Sequence, residues 1–161
     1  MIVVSNTSPI NNLAAISQLN LLQLLYHQIV IPNAVYRELT NIPVACTLEV
    51  KTFQWIEKRA VANSTLVKTL QLEIDEGEGE AIALAIELNA DLLLIDERIG
   101  RIVASRLGLK FVGVLGILLE AKGQGLIHTV KPLLDRLSAS GFWINEKLYN
   151  QVLNLASESL V

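Results

Sequence analysis

The residues from Glu78 to Arg98, E-G-E-A-I-A-L-A-I-E-L-N-A-D-L-L-L-I-D-E-R, admit few folds. Apolar residues recur at helical spacing as far as Leu88. Asn89-Ala90 then makes a two-residue turn, and Asp91 to Ile95 reads as a buried strand. The strand delivers Asp96 at its carboxyl end, where ligands and chemistry collect in open parallel α/β sheets. With so short a turn, Glu78 at the helix start and Asp96 can face one site. Glu78 shares its stripe with Ala81, Ile82 and Ala85 and should point toward the sheet. Glu80 lies with Ala83 and Glu87 on the wetter stripe and should point to water. Asp75 and Glu76 read as a solvated turn, and acids at a helix start also favour the macrodipole.

The rest of the chain repeats the alternation. Ile2-Val3-Val4 is a β-branched run suited to a central strand. Thr7 or Ser8 can cap a helix opened by Pro9, which leaves Asn6 at a strand end just before a helix N-terminus. Ile10 to Ile16 and Leu19 to Leu25 read as short helices, Gln28 to Ile31 as a second strand, and Pro32 to about Thr40 as a helix. Glu38 borders the apolar side of that helix, so it either pairs with a cation such as Arg37 or lines a site.

Asn41-Ile42-Pro43 breaks the chain, and a helix is expected near Thr47. Phe53 to Ile56 is strand or helix, and Asn63-Ser64 caps a helix from Thr65 to Leu72. Arg98 to Leu107 is a helix stopped by Gly108, Leu109 to Val112 a strand, and Val114 to Ala121 a helix. Thr129 to Ser138 is another helix, Gly141 to Ile144 suits an edge strand, and Asn145 caps a final helix to about Ser157. The pattern predicts a three-layer α/β/α sandwich around a parallel sheet. A single domain over residues 1–161 is expected, with a C-terminal helical segment at about 126–161.

Composition narrows the partners. A hydrophobic fraction of 52% fits a sheet covered on both faces, or an apolar partner surface as well. A net charge of −3 argues against holding nucleic acid by bulk electrostatics. Arg98, Arg101, Arg106 and Lys110 form either a solvated helix face or a local basic patch. No apolar run reaches the roughly 18 residues of a membrane span. Ile2-Val3-Val4 follows no basic region of the kind that opens a signal peptide. The lone Cys46 allows no internal disulfide framework and reads as a small apolar filler, so a reducing cytoplasm is expected. His27 and His128 pair with no nucleophile and read as structural or surface residues. Carboxylates clustered without His or Cys are hard oxygen donors that suit Mg²⁺ or Mn²⁺, the usual ions of phosphoryl chemistry.

Four motifs in order carry a family resemblance: I-V-V-S-N-T-S-P-I at the start, I-P-N-A-V-Y-R-E-L around Glu38, G-E-G-E-A-I-A-L-A, and L-L-L-I-D-E-R. With L-G-I-L-L-E-A-K and G-F-W-I they make nearly the whole chain similar to a PIN domain, more narrowly to the subfamily DUF3368. Such proteins resemble the nuclease half of VapBC-type toxin–antitoxin pairs. The resemblance implies an α/β/α sandwich, an acidic Mg²⁺ or Mn²⁺ site, RNA cleavage, a cognate antitoxin and homodimers.

Carried over by motif, the metal ligands fall on position 6, Glu38, Glu78 and Asp96, with Glu38, Glu78 and Asp96 catalytic. Thr7 or Ser8 supplies the neighbouring hydroxyl, and Arg98 or Arg101 steers the RNA backbone. The family pattern expects aspartate at the first position, where this chain has Asn6. An amide carbonyl can ligate a metal but brings no charge and cannot act as a base. The resemblance therefore leaves open an endoribonuclease or a catalytically impaired PIN fold that binds RNA or an antitoxin. A phosphate-binding domain on a similar sheet is a third reading, disfavoured by the missing glycine-rich phosphate loop.

Overall fold

The computed structural model describes residues 1–41, 51 and 53–158. Cys46, the Ile42-Pro43 break and the helix expected near Thr47 lie outside those residues. Among the described residues, five parallel strands form one sheet: β1 (Val3–Ser5), β2 (Ile29–Pro32), β3 (Ile56–Arg59), β4 (Leu92–Leu94) and β5 (Phe111–Val112), in the order β3-β2-β1-β4-β5. Around it stand α1 (Thr7–Ala15), α2 (Asn20–Tyr26), α3 (Asn33–Asn41), α4 (Ser64–Leu70), α5 (Glu76–Glu87), α6 (Arg98–Arg106), α7 (Val114–Gly123), α8 (Lys131–Ala139) and α9 (Glu146–Leu155). The strands pair Val4 with Val30 and Val3, Val4 and Ser5 with Leu92, Leu93 and Leu94.

Strand side chains alternate between two cores, as the two-residue period demands. Val3, Ile29, Ile31 and Leu94 face one core, shared with Ile10 and Leu13 of α1, Leu21 and Leu22 of α2, and residues of α3, α7, α8 and α9. Val4, Val30, Leu93 and Ile95 face the other, beneath α4, α5 and α6. The sheet is thus covered on both faces, the sandwich the alternation predicted. Leu133, Leu134, Leu137, Val152 and Leu153 place the C-terminal helices in the first core. Glu158 secures their start, accepting from the Val130 and Lys131 N–H groups and pairing with Lys122 at 2.8 Å. Among the described residues, no helix is long and apolar enough to cross a membrane.

Several local expectations need correction. Pro32 ends β2 opposite Arg59 and does not open α3, which begins at Asn33. The third strand starts at Ile56 and runs through Glu57 and Lys58 to Arg59. Those charges hide it from pattern reading, yet they suit an edge strand half open to water. Gly141 to Ile144 forms no strand; the chain there turns at Gly141 and joins no sheet. Asn63 and Asn145 do cap their helices, accepting from Leu66 and Leu148 N–H.

Candidate functional site at the β1–β4 switch point

From β1 the chain moves to β2 on one side, and it returns through β4 on the other. The helix after β1 packs on one face and the helix after β4 on the opposite face. A crevice opens outside the carboxyl ends where strand order reverses in this way. Asn6 follows β1, and Ile95-Asp96-Glu97 follows β4. The Asn6 N–H donates to the Leu94 carbonyl at 2.9 Å, continuing the ladder one residue past the strand.

Glu38, Glu78, Asp96 and Glu97 lie about the crevice, with Asp75 beside Glu78. Asp96 is held on both oxygens, Oδ1 accepting the Val114 N–H at 2.9 Å and Oδ2 the Asn12 side-chain amide at 3.0 Å. Burial raises its pKa, while those two donors and Arg101 act in the opposite direction. Glu38 accepts from the Thr7 hydroxyl, and burial again raises its pKa. Glu78 is buried at the start of α5, and its pKa is pushed up to about 8. Desolvation is the largest cause, followed by Asp75 through a side-chain hydrogen bond and charge, then by Glu97 and Glu38. Glu97 receives the Asn6 amide at 2.9 Å and the Ser8 hydroxyl, and it lines the clefts on both sides of the crevice. A cleft of about 440 Å³ joins it to Glu78, Arg98 and Ile99. The other, of about 400 Å³, joins it to Ser8, Asp96 and Trp143.

Glycines leave room for the acids. A side chain at Gly77 would strike the Glu38 carboxylate. A Cβ at Gly100 would stand 2.7 Å from Glu78 Oε2, and one at Gly113 would stand 2.5 Å from Asp96 Oδ1. Real Cβ atoms do not approach so closely, so each acid occupies space that its glycine leaves empty.

Other expected roles change. Thr7 and Ser8 lie inside α1, and their hydroxyls serve Glu38 and Glu97 instead of capping the helix. Arg37 pairs with Glu76, not with Glu38, at 2.7 Å. Asp75 is the N-cap of α5, accepting the Glu78 N–H at 2.8 Å, and not merely a solvated turn. Glu80 does not point to water: it is half-buried and accepts the Ala34 N–H at the start of α3, 3.0 Å away. Its supposed wet stripe is covered because α5 packs between the sheet, α3 and α4; Ala83 is fully buried. Arg98 lines the Glu78 cleft, whereas Arg101 lies over the Phe111 ring at 5.3 Å.

Pattern reading missed Glu97 and Asn12. Glu97 stood inside the D-E-R motif, and the strand end ahead of it was a usable signal. Asn12, by contrast, is an ordinary polar residue in a helix. Among the described residues, no three Asp, Glu, His or Cys side chains converge tightly enough to hold one metal ion.

A parallel α/β/α sandwich with acids at its central switch point is the architecture of a nuclease fold of the PIN type. The chain matches the DUF3368 family model, a PIN domain, over residues 2–158, and it belongs to that family. No curated protein sequence matches it closely enough to stand as a relative.

Proposed function

We propose that the protein is a metal-dependent endoribonuclease of the PIN toxin type, hydrolysing RNA phosphodiesters. The observation that carries this reading is the meeting of Glu38, Glu78, Asp96 and Glu97 around one crevice. Desolvation and mutual repulsion make charge on them costly, a cost that a proton or a bound cation relieves. The donors are all hard oxygens, a set that fits Mg²⁺ or Mn²⁺ in kind. Such an ion, when bound, would supply activation of water and neutralisation of phosphate charge.

Glu38, Glu78, Asp96 and Glu97 would have to draw together to hold it, since they do not form a ready-made ligand group, and the Asn6 side-chain carbonyl oxygen would be an uncharged fifth donor. Glu97 brings beside Asn6 the charge that an aspartate at position 6 would have carried. Thr7 and Ser8 orient Glu38 and Glu97 through their hydroxyls, and the Val114 N–H and Asn12 fix the Asp96 carboxylate. Arg98, exposed at the cleft rim, would meet the RNA backbone, and Arg101 lowers the cost of charge on Asp96.

The toxin reading also carries an antitoxin and a second copy of the chain as partners. Leu72 and Ile99 are exposed at the Glu78 cleft, Ile102 is exposed one turn further along α6, and together they suit an apolar antitoxin segment. A cytoplasmic location agrees with this role. A second reading, a PIN fold that binds without cutting, is favoured by Asn6 itself.

The test is cleavage of a panel of single-stranded RNAs with Mg²⁺ or Mn²⁺ by the native protein, Asn6→Asp and Asp96→Asn. Cleavage by the native protein that Asp96→Asn abolishes supports the nuclease. Cleavage by Asn6→Asp alone assigns the natural chain a binding role. Absence of cleavage by all three removes the enzyme reading.

A further inference from the structure

Of the two tryptophans in the chain, Trp55 is 8% exposed and packed in the core, while Trp143 is 79% exposed. Tryptophan is usually well covered in a folded chain, so this display is uncommon. It is also firmly held. α8 ends in a cap with Gly141 at φ +99°, a left-handed turn, and Phe142 N–H returns to the Leu137 carbonyl at 3.0 Å. Three residues on, the Asn145 side chain accepts the Leu148 N–H at 2.7 Å and opens α9. Between these anchors exposure alternates from residue to residue. Phe142 and Ile144 pack against the core, and Trp143 faces outward. Trp143 lines the same cleft as Asp96, Glu97 and Ser8.

We propose that Trp143 is a stacking platform for an unpaired base of the RNA strand, the subsite next to the scissile phosphate. The inference rests on the ribonuclease reading for the identity of its ligand. An aromatic face accepts any base, and its attraction does not depend on positive charge. That suits a chain of net charge −3, whose site is acidic and which cannot rely on bulk electrostatics. A base in a duplex keeps its faces covered, so the platform selects single strands.

The protein carries its own reporter, because Trp55 is shielded and Trp143 supplies the solvent-sensitive emission. The full chain is titrated with single-stranded RNA and with the same sequence as a duplex, in Ca²⁺ to neutralise the acids. Emission and the anisotropy of end-labelled RNA are followed together. Single strands are expected to change the Trp143 emission and duplexes much less. Trp143→Ala should weaken binding by roughly 5- to 100-fold, the loss expected for one stacked base, with Trp143→Phe restoring most of it. The thermal midpoint of Trp143→Ala should match the native one, since the side chain is outside the core.

Equal binding by native protein and Trp143→Ala, or binding that leaves the emission unchanged, overturns the proposal. So does an emission change that follows protein concentration without RNA, which would assign Trp143 to contact with a second copy. Cleavage assays separate the two readings. Trp143-dependent binding without cleavage in Mg²⁺ or Mn²⁺ keeps the platform and removes the nuclease. Cleavage with kcat/KM unaltered in Trp143→Ala keeps the nuclease and removes the platform.

Discussion

The Asn6 side-chain amide donates to Glu97 Oε2 at 2.9 Å, tying the end of β1 to the residue after Asp96. With its N–H turned to a carboxylate, Asn6 is the neutral member of a pair that an aspartate would make doubly negative. This pairing links the departure from the family pattern to Glu97, which stands where it can supply the charge.

Asn6→Asp should therefore act in opposite directions with and without metal. Two carboxylates in place of an amide–carboxylate hydrogen bond lower the thermal midpoint of the metal-free protein, by about 2–4 °C for each kcal/mol lost. The added charge tightens Mn²⁺ binding by roughly tenfold, a little over 1 kcal/mol. Calorimetry with Mn²⁺ and thermal melts in chelator check both halves, and unchanged affinity would refute the ligand role of position 6.

Glu97→Gln removes the charge and can keep the contacts, accepting from Asn6 and donating to the Ser8 hydroxyl. Glu97 charge raises the pKa of Glu78, Glu38 and Asp96, so its loss should stabilise the metal-free protein. Mn²⁺ affinity should fall at least about tenfold in the same variant. A melt showing destabilisation with Mn²⁺ affinity intact would make Glu97 purely structural.

Stability without metal should fall as pH rises. Glu78 has its pKa raised from 4.5 to about 8 by folding. Between those values the folded protein holds a proton that the unfolded chain has released, so stability declines through the window and the loss is complete above about 8. Glu38 and Asp96 are shifted in the same direction. Thermal melts across this range should show a decline of several degrees in chelator, flattened in Glu78→Gln and by saturating Mn²⁺. A midpoint that climbs with pH would contradict the burial of these acids.

Glu78 and Glu80 are separable by mutation. Glu80 accepts a backbone N–H at the start of α3, so Glu80→Ala should cost about 0.5–2 kcal/mol, as loss of a cap does. It should leave kcat of RNA cleavage near native. Glu78→Gln should abolish cleavage while raising the metal-free midpoint. The reverse pattern would exchange their roles.

Gly113→Ala tests whether space at the site matters. The new Cβ would fall 2.5 Å from Asp96 Oδ1 and 3.4 Å from the Ile95 carbonyl, so the carboxylate must move. A displacement near 1 Å costs about a hundredfold in rate where positioning governs catalysis. Cleavage kinetics beside thermal melts will show whether activity falls far more than stability.

Much of this arrangement could be read from residue order. The helix–turn–strand around Asp96 was plain because its strand is apolar on both faces and its turn is short. Glu78 was readable because helical period places it on the buried stripe. Period failed for Glu80, since a helix packed on several sides has no single wet stripe. β3 was obscured because an edge strand tolerates Glu57, Lys58 and Arg59. Asn12 left no local mark: its role follows from a contact between residues 84 positions apart.

The three acid–glycine pairs also constrain how the site can change over time. Glu38 with Gly77, Glu78 with Gly100, and Asp96 with Gly113 each join positions on separate segments of the chain. A glycine can gain a side chain without collision only after its acid has shortened or moved, so each pair forms a two-step lock with an unfit intermediate. In a lineage that keeps the site, the six positions should drift together. Where cutting has been given up, alanine at Gly77 and Gly113 should be among the first traces of the loss, while Gly100 is held also by Ile95.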